Sequence, residues 1–233
     1  MRADRIDAVL LDMGGVLIPE LQTYERSVRD RAFLEALAAQ GVANAESFVV
    51  ERAKRLREAY RALQDECRQP CLDDVLADCT PVVRALLLGA FKREAAPAPY
   101  AHARAVVAEL AYDFALGIVS NNAMPGDHHA RVLQRAGILQ HVGCAVWSAN
   151  FGRRKPDPAM IFHVLDRLGV PCERAIFVGD STHDMHAGNA AGVATAAALW
   201  GPFSRAQLQT AKPDHWLGDI TELRAVVERL AMK

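Results

Sequence analysis

Apolar positions along the chain follow two patterns. Short, nearly continuous apolar runs occur at Ala8–Leu11, Ala115–Val119, Cys144–Trp147, Ala175–Val178 and Ala194–Leu199. Runs of this kind, with no polar alternation, suit strands covered on both faces, as in a parallel sheet. Between the later runs, apolar residues recur at helical spacing over His102–Ala111, His128–Ala136, Pro158–Leu168 and Asp184–Ala191. Gly137, Gly169 and Gly192 stand where such helices end. Strand followed by helix, several times over, implies right-handed crossovers and an α/β, Rossmann-like, doubly wound parallel sheet.

One stretch breaks this alternation. From about Leu21 to Glu94 the apolar residues keep helical spacing (Phe33, Leu34 and Leu37; Phe48 to Leu63; Val82 to Phe91) and no strand is legible. The Pro/Ala-rich "AAPAPY" at 95–100 reads as a linker back to the sheet. The chain is therefore expected to consist of a core, 1–18 with 97–233, and an all-helical insert, 19–96. Arg52, Arg55, Arg57 and Arg61 recur at helical spacing within the insert and read as a solvated face. His128 and His129 read as the exposed start of a helix.

Open parallel sheets bind ligands beyond the carboxyl ends of their strands, so the residues just after each apolar run carry the functional information. Asp12 follows "AVLL"; Ser120, Asn121 and Asn122 follow "LGIV"; "GRRKPDP" follows the third run; "GDSTHD" follows "AIFV". Carboxylates, a hydroxyl and a fixed cation are thus predicted around one crevice. Singly, each has a plainer reading: a turn, a loop, a solvated lysine, or, for Asp180 and Asp184, a cap for the helix that follows.

Composition narrows the setting. The 233 residues are 51% hydrophobic, and 27 basic against 28 acidic side chains leave a formal charge of −1. That balance gives no reason to expect a nucleic-acid or anionic-membrane partner. No apolar stretch approaches membrane-spanning length, and Arg2, Asp4, Arg5 and Asp7 interrupt the start where a signal peptide would be apolar. The five cysteines lack the paired spacing of a zinc or redox site and read as reduced thiols of a cytoplasmic protein.

The ordered set "LLDMGGVL", "GIVSN", "RKPDP" and "VGDSTHD" resembles the four motifs of the haloacid dehalogenase superfamily, and the resemblance covers nearly the whole chain. The insert after the first motif is similar to the helical cap of that superfamily's first subclass, which closes over the active site and selects what enters. The resemblance implies a Mg²⁺-dependent hydrolase of small phosphorylated metabolites. In it, Asp12 would be the nucleophile that forms an aspartyl-phosphate. Ser120 and the backbone N–H of Asn121 would bind the phosphoryl oxygens, and Lys155 would neutralise charge on both nucleophile and phosphate. Mg²⁺ would be held by Asp12, the Gly14 carbonyl, Asp180 and Asp184, a hard oxygen set that suits it.

Gly14 departs from the family pattern. Most phosphatases of the superfamily carry a second Asp at that position, which protonates the leaving oxygen and later activates water. A glycine keeps the backbone carbonyl but not the acid. Losing a positioned acid/base costs about 10²- to 10⁴-fold in rate, or roughly 3 to 5.5 kcal/mol of barrier. Alkyl phosphates suffer most from that loss; anomeric sugar, acyl or aryl phosphates, with better leaving groups, suffer least. Glu20 and His183 are candidate stand-ins. The main alternative is a catalytically weak phosphometabolite-binding protein. A dehalogenase, which has Tyr at that position and no Mg²⁺, is opposed by the acidic pair Asp180 and Asp184. A phosphonate-cleaving enzyme using a cap lysine is opposed by the setting of Lys54 and Lys92, the insert's only lysines, neither of which lies among apolar residues that would lower its pKa. The substrate and oligomeric state are not legible.

Overall fold

The computed structural model describes residues 5–19, 29–93, 97–124 and 126–231. The chain forms two compact units, Met1–Glu20 together with Pro97–Lys233, and Leu21–Ala96. The first contains one sheet of six parallel strands: β1 Ala8–Leu11, β2 Ala115–Ser120, β3 Cys144–Trp147, β4 Ala175–Gly179, β5 Ala194–Ala198 and β6 His215–Leu217. The strands lie in the order β3-β2-β1-β4-β5-β6. The winding direction reverses between β1 and β4, and a ligand crevice is expected at that reversal, outside the carboxyl ends of the strands. Register makes those ends level: Leu11 pairs with Ile118 on one side and with Val178 on the other.

The hydrophobic pattern predicts five of these strands and misses β6. A three-residue edge strand whose His215 and Trp216 are only half-buried carries no continuous apolar run to detect.

The Leu21–Ala96 unit is helical, with α1 Arg31–Ala38, α2 Ala45–Ala62, α3 Leu72–Val75 and α4 Pro81–Arg93. Two helix starts are fixed by side-chain caps: Asp30 accepts from the Phe33 N–H at 3.1 Å and Asn44 from the Ser47 N–H at 3.0 Å. A separate core of Phe33, Leu37, Val49, Leu76, Val83 and Leu87 holds these helices together. Each such side chain contributes about 1.5–3 kcal/mol by leaving water. Arg52 departs from the expected solvated face. It is buried, its guanidinium lies 4.5 Å from the Phe48 ring centroid, and it pairs with Asp78 at 3.0 Å, an oxygen shared with Arg55.

The remaining helices are α5 Ala103–Leu110, α6 Gly126–Arg135, α7 Ser148–Phe151, α8 Ala159–Leu168, α9 Thr182–Ala191, α10 Arg205–Gln209 and α11 Leu223–Ala231. Ala8, Leu10 and Phe177 of the sheet pack against Met160, Ile161, Val164 and Leu165 of α8 and Ala187 and Ala191 of α9. The alternate residues Val9 and Leu11 point to the opposite face and are equally inaccessible, so the sheet is covered on both sides. His128 and His129 of α6 are buried rather than exposed, their rings edge to face at 5.2 Å. The helix starts against Trp147 and Asn150, whose Oδ1 accepts the Gly126 N–H at 2.6 Å, a placement that periodicity alone does not reveal. Among the described residues no helix is long and apolar enough to cross a membrane.

Candidate active site

Four segments meet at the carboxyl edge of the sheet. Asp12 follows β1 directly, its N–H extending the ladder to Val178 O at 2.9 Å, while its Oδ1 accepts from the Met13 N–H at 2.7 Å. The chain then turns at once. Met13 O accepts from the N–H groups of both Leu17 and Ile18, at 2.9 and 3.1 Å, and Gly15 N–H donates to Ile18 O at 2.8 Å. Gly15 makes this turn at φ +72°, in the left-handed region open to glycine. The Trp200 indole N–H, from the loop after β5, donates to Val16 O at 3.0 Å.

Ser120 ends β2 and is buried. The two asparagines after it tie this loop to the segment beyond β3. Asn121 Oδ1 accepts from the Lys155 N–H at 2.8 Å, and Asn121 Nδ2 donates to Lys155 O at 3.0 Å. The Asn122 N–H donates to Ser148 Oγ at 2.9 Å, whose hydroxyl donates back to Asn122 O at 3.1 Å. Asn122 Nδ2 reaches Ser120 Oγ at 3.4 Å.

Asp180 follows β4, and α9 starts immediately after it with Ser181 as its cap. Asp184 Oδ2 accepts from both the N–H and the hydroxyl of Ser181, at 2.9 and 2.6 Å. The capping reading of Asp184 is therefore correct, yet the other oxygen, Oδ1, lies 2.6 Å from Lys155 Nζ. One carboxylate starts the helix and anchors the lysine.

Among the described residues Lys155 is the largest fully buried side chain, at 1% exposure. Its ammonium donates to Val119 O at 2.8 Å and lies 3.0 Å from Asp12 Oδ1. Burial by itself would lower the lysine pKa, but the charges of Asp12 and Asp184 outweigh it and hold the ammonium form. Asp12 is pushed up to about 6, chiefly by burial and further by Asp184, with Lys155 opposing. The centre therefore carries more negative charge than one lysine compensates.

That surplus decides whether a cation fits. Asp12, Asp180 and Asp184 are all buried and present carboxylate oxygens within 4.8 Å of one another. Three hard, anionic oxygens facing a single ammonium suit a Mg²⁺-like ion. Dehalogenase chemistry without a metal gives no reason to bury the Asp180 carboxylate here.

The residues expected at the site, Asp12, Gly14, Ser120, Asn121, Lys155, Asp180 and Asp184, thus lie on segments that leave the same sheet edge. His183 is half-buried on the first turn of α9, its imidazole held below the usual range by burial and then by the Arg154 charge. Glu20 lies outside the described residues. The sequence reading missed Ser181, Ser148 and Trp200. Ser181 was detectable, because a serine three residues before an acid is a helix-start signature. Ser148 and Trp200 act through contacts remote in sequence and leave no such signal.

Comparison with known proteins agrees with this geometry. A profile of the haloacid dehalogenase-like hydrolases matches residues 6–192. The chain is 35% identical over 88 residues to a phosphoglycolate phosphatase of Aquifex aeolicus, covering 38% of this chain and 40% of that protein. It is 35% identical over 118 residues to the pyrophosphatase PpaX of Listeria welshimeri, covering 49% and 52% respectively. The matches thus span about half or less of these relatives' length. A 2-haloacid dehalogenase structure from Pseudomonas syringae superposes with a TM-score of 0.67 at 21% identity, covering 96% of this chain and 99% of that one, and so shares the fold. With most of its length matched by the family profile, the chain belongs to the haloacid dehalogenase-like hydrolases.

Proposed function

We propose that this protein hydrolyses small phosphate monoesters with Mg²⁺, through a phosphorylated Asp12. The observation that carries the reading is Lys155: a buried ammonium 3.0 Å from Asp12 and 2.6 Å from Asp184, in a centre whose third carboxylate is Asp180. A binding site for phosphate alone has no need of an anionic side chain aimed at the ligand, whereas phosphoryl transfer needs a nucleophile and charge neutralisation around it. The phosphoglycolate phosphatase and pyrophosphatase relatives support a phosphate-containing substrate.

In the proposed reaction an Asp12 oxygen attacks phosphorus, the bond to the leaving oxygen breaks, and that oxygen departs with the electron pair. Ser120 hydroxyl and Asn121 N–H donate to the phosphoryl oxygens. Lys155 keeps Asp12 ionised and offsets charge on the transferred group. Asp12, the Gly14 carbonyl, Asp180 and Asp184 would hold Mg²⁺, which when bound offsets further phosphate charge. Water then attacks the phosphorus, and the bond to the Asp12 oxygen breaks and restores the carboxylate. Of the water's two protons, one stays on the released phosphate while the other passes through solvent to the departed leaving group. Gly14 provides no proton for the leaving oxygen, so the reading extends to substrate class: esters with good leaving groups, such as anomeric sugar or acyl phosphates, over alkyl phosphates. The helical unit, read as 19–96 against a core of 1–18 and 97–233, is proposed as the selecting cap. Unpaired thiols at all five cysteines support a reducing, cytoplasmic setting.

The test is phosphate release from esters of graded leaving-group pKa, with Mg²⁺ or EDTA, for wild type and Gly14→Asp. A steep dependence on leaving group that flattens in Gly14→Asp is expected, with Asp12→Asn inactive. Absence of Mg²⁺-dependent release from every ester would overturn the reading in favour of a binding protein.

A further inference from the structure

We propose that the Asn121 side chain sets the position of Lys155, which makes Asn121 a positioning residue for the transfer step. The inference rests on the reaction proposed above. The Asn121 backbone N–H was assigned to phosphate; the side chain does something else. Its carboxamide takes both main-chain polar groups of Lys155, accepting the N–H at 2.8 Å and donating to the carbonyl at 3.0 Å.

Lys155 needs such a partner. It lies in the irregular stretch between α7, ending at Phe151, and α8, starting at Ala159, where no helix or strand ladder engages its backbone. Its ammonium nevertheless occupies a buried point defined by contacts at 2.8, 3.0 and 2.6 Å to Val119 O, Asp12 and Asp184. A buried charge displaced from such contacts is left uncompensated. Holding the backbone at both polar groups fixes where the side chain begins, and a carboxamide is the short side chain that offers donor and acceptor side by side. Aspartate supplies only the acceptor; alanine supplies neither.

Asn121 is itself anchored. The next residue, Asn122, exchanges two hydrogen bonds with Ser148, at 2.9 and 3.1 Å, fastening the loop after β2 to the start of α7. The proposed phosphate-binding N–H and the charge-neutralising lysine therefore sit on one stitched unit, spaced by a single side chain across 34 residues of sequence.

The experiment compares wild type, Asn121→Ala and Asn121→Asp by two readouts. The first is reductive methylation of the folded protein, with labelling of Lys155 quantified by peptide mass spectrometry against the exposed Lys54 and Lys212. Lys155 is expected to be protected in wild type, labelled at least about tenfold faster in Asn121→Ala, and intermediate in Asn121→Asp, because exposure follows the loss of each backbone tie. The second is kinetics on an aryl phosphate. In Asn121→Ala kcat should fall roughly ten- to a hundredfold, while KM changes by less than about threefold, the scale expected of a misplacement near 1 Å. Unchanged protection in both variants, or increased labelling with unchanged kcat, overturns the proposal. If wild type releases no phosphate, the reaction reading fails and labelling alone decides the positioning role. If Asn121→Ala does not fold, Asn121→Asp decides both readouts.

Discussion

Gly15 and Asp180 occupy the same space: a Cβ on Gly15 would lie 2.3 Å from the Asp180 carboxyl carbon, and Gly15 also sits at φ +72°. Gly201 presses on Asp180 from another side, where an added Cβ would lie 2.5 Å from the Asp180 Cβ. The turn after Asp12 and the loop after β5 thus form the walls of the slot that holds Asp180. Gly15→Ala is expected to cost about 1–3 kcal/mol of stability from the backbone conformation and, by pushing Asp180 aside, to weaken Mg²⁺ binding at least tenfold. Urea unfolding and Mg²⁺ titration by calorimetry measure the two effects separately. Unaltered Mg²⁺ affinity would show that Asp180 is not a ligand.

Lys155 offsets two buried carboxylates, so its removal should be felt as charge. Breaking a buried ion pair costs about 3–5 kcal/mol, and in Lys155→Met both Asp12 and Asp184 lose their cation. Asp12 already holds its proton to about 6, and without the lysine it holds it further. A carboxyl with a raised folded-state pKa binds more protons folded than unfolded, so stability falls as pH rises beyond the ordinary carboxylate range. The variant should therefore lie near wild type at pH 5 and well below it at pH 8, with Mg²⁺ restoring part of the difference. Denaturant unfolding at the two pH values, with Mg²⁺ and with EDTA, checks this; a pH-independent loss would mean the lysine matters for packing alone.

The legible part of this protein is the part governed by local pattern. Buried parallel strands declare themselves as short apolar runs, and the acid or hydroxyl that ends each run marks the sheet edge where chemistry is done. That is why Asp12, Ser120 and Asp180 could be placed before the fold was known. Lys155 could be picked out only through its motif, since nothing in "RRKPDP" tells a buried ammonium from a solvated one. The pairing of Asn121 with Lys155 and of Trp200 with Val16 spans too much sequence for any spacing rule. Arg52, His128 and His129 are buried although polar residues at helical spacing normally face water, because a carboxylate and an aromatic ring engage Arg52 and the two histidine rings pack edge to face.

His129 gives the protein an acid-labile point. Its ring is buried on the first turns of α6 and its pKa is pushed down from 6.5 to about 4, chiefly by burial and then by the neighbouring His128, with Asp127 and the Met124 carbonyl opposing. Between those two values the unfolded chain takes up a proton that the folded chain refuses. Stability is complete above about pH 6.5 and declines as pH falls toward 4. The full contribution is about 3 kcal/mol. His129→Leu should show a shallower loss of urea midpoint between pH 7.5 and 5 than wild type. Parallel slopes for the two proteins would assign the acid sensitivity elsewhere.

Trp200 bears on the turn after Asp12 from far along the sequence. Its indole N–H donates to Val16 O at 3.0 Å, and Val16 is fully buried, so no water can replace the bond. The turn it grips is closed on the Asp12 side by Met13 O, which accepts from Leu17 and Ile18, and the residue after Trp200 is the glycine against Asp180. One loop thus restrains the turn after Asp12 and one wall of the proposed metal site. Trp200→Phe keeps the aromatic volume while leaving the carbonyl unpaired, at a cost of about 1–3 kcal/mol. The backbone amides of Leu17 and Ile18 should then exchange with solvent at least tenfold faster, with kcat/KM on an aryl phosphate falling in step, because the turn and Asp12 move together. Faster exchange with unchanged kcat/KM would separate the turn from Asp12, leaving Trp200 as a stabilising contact of the loop after β5.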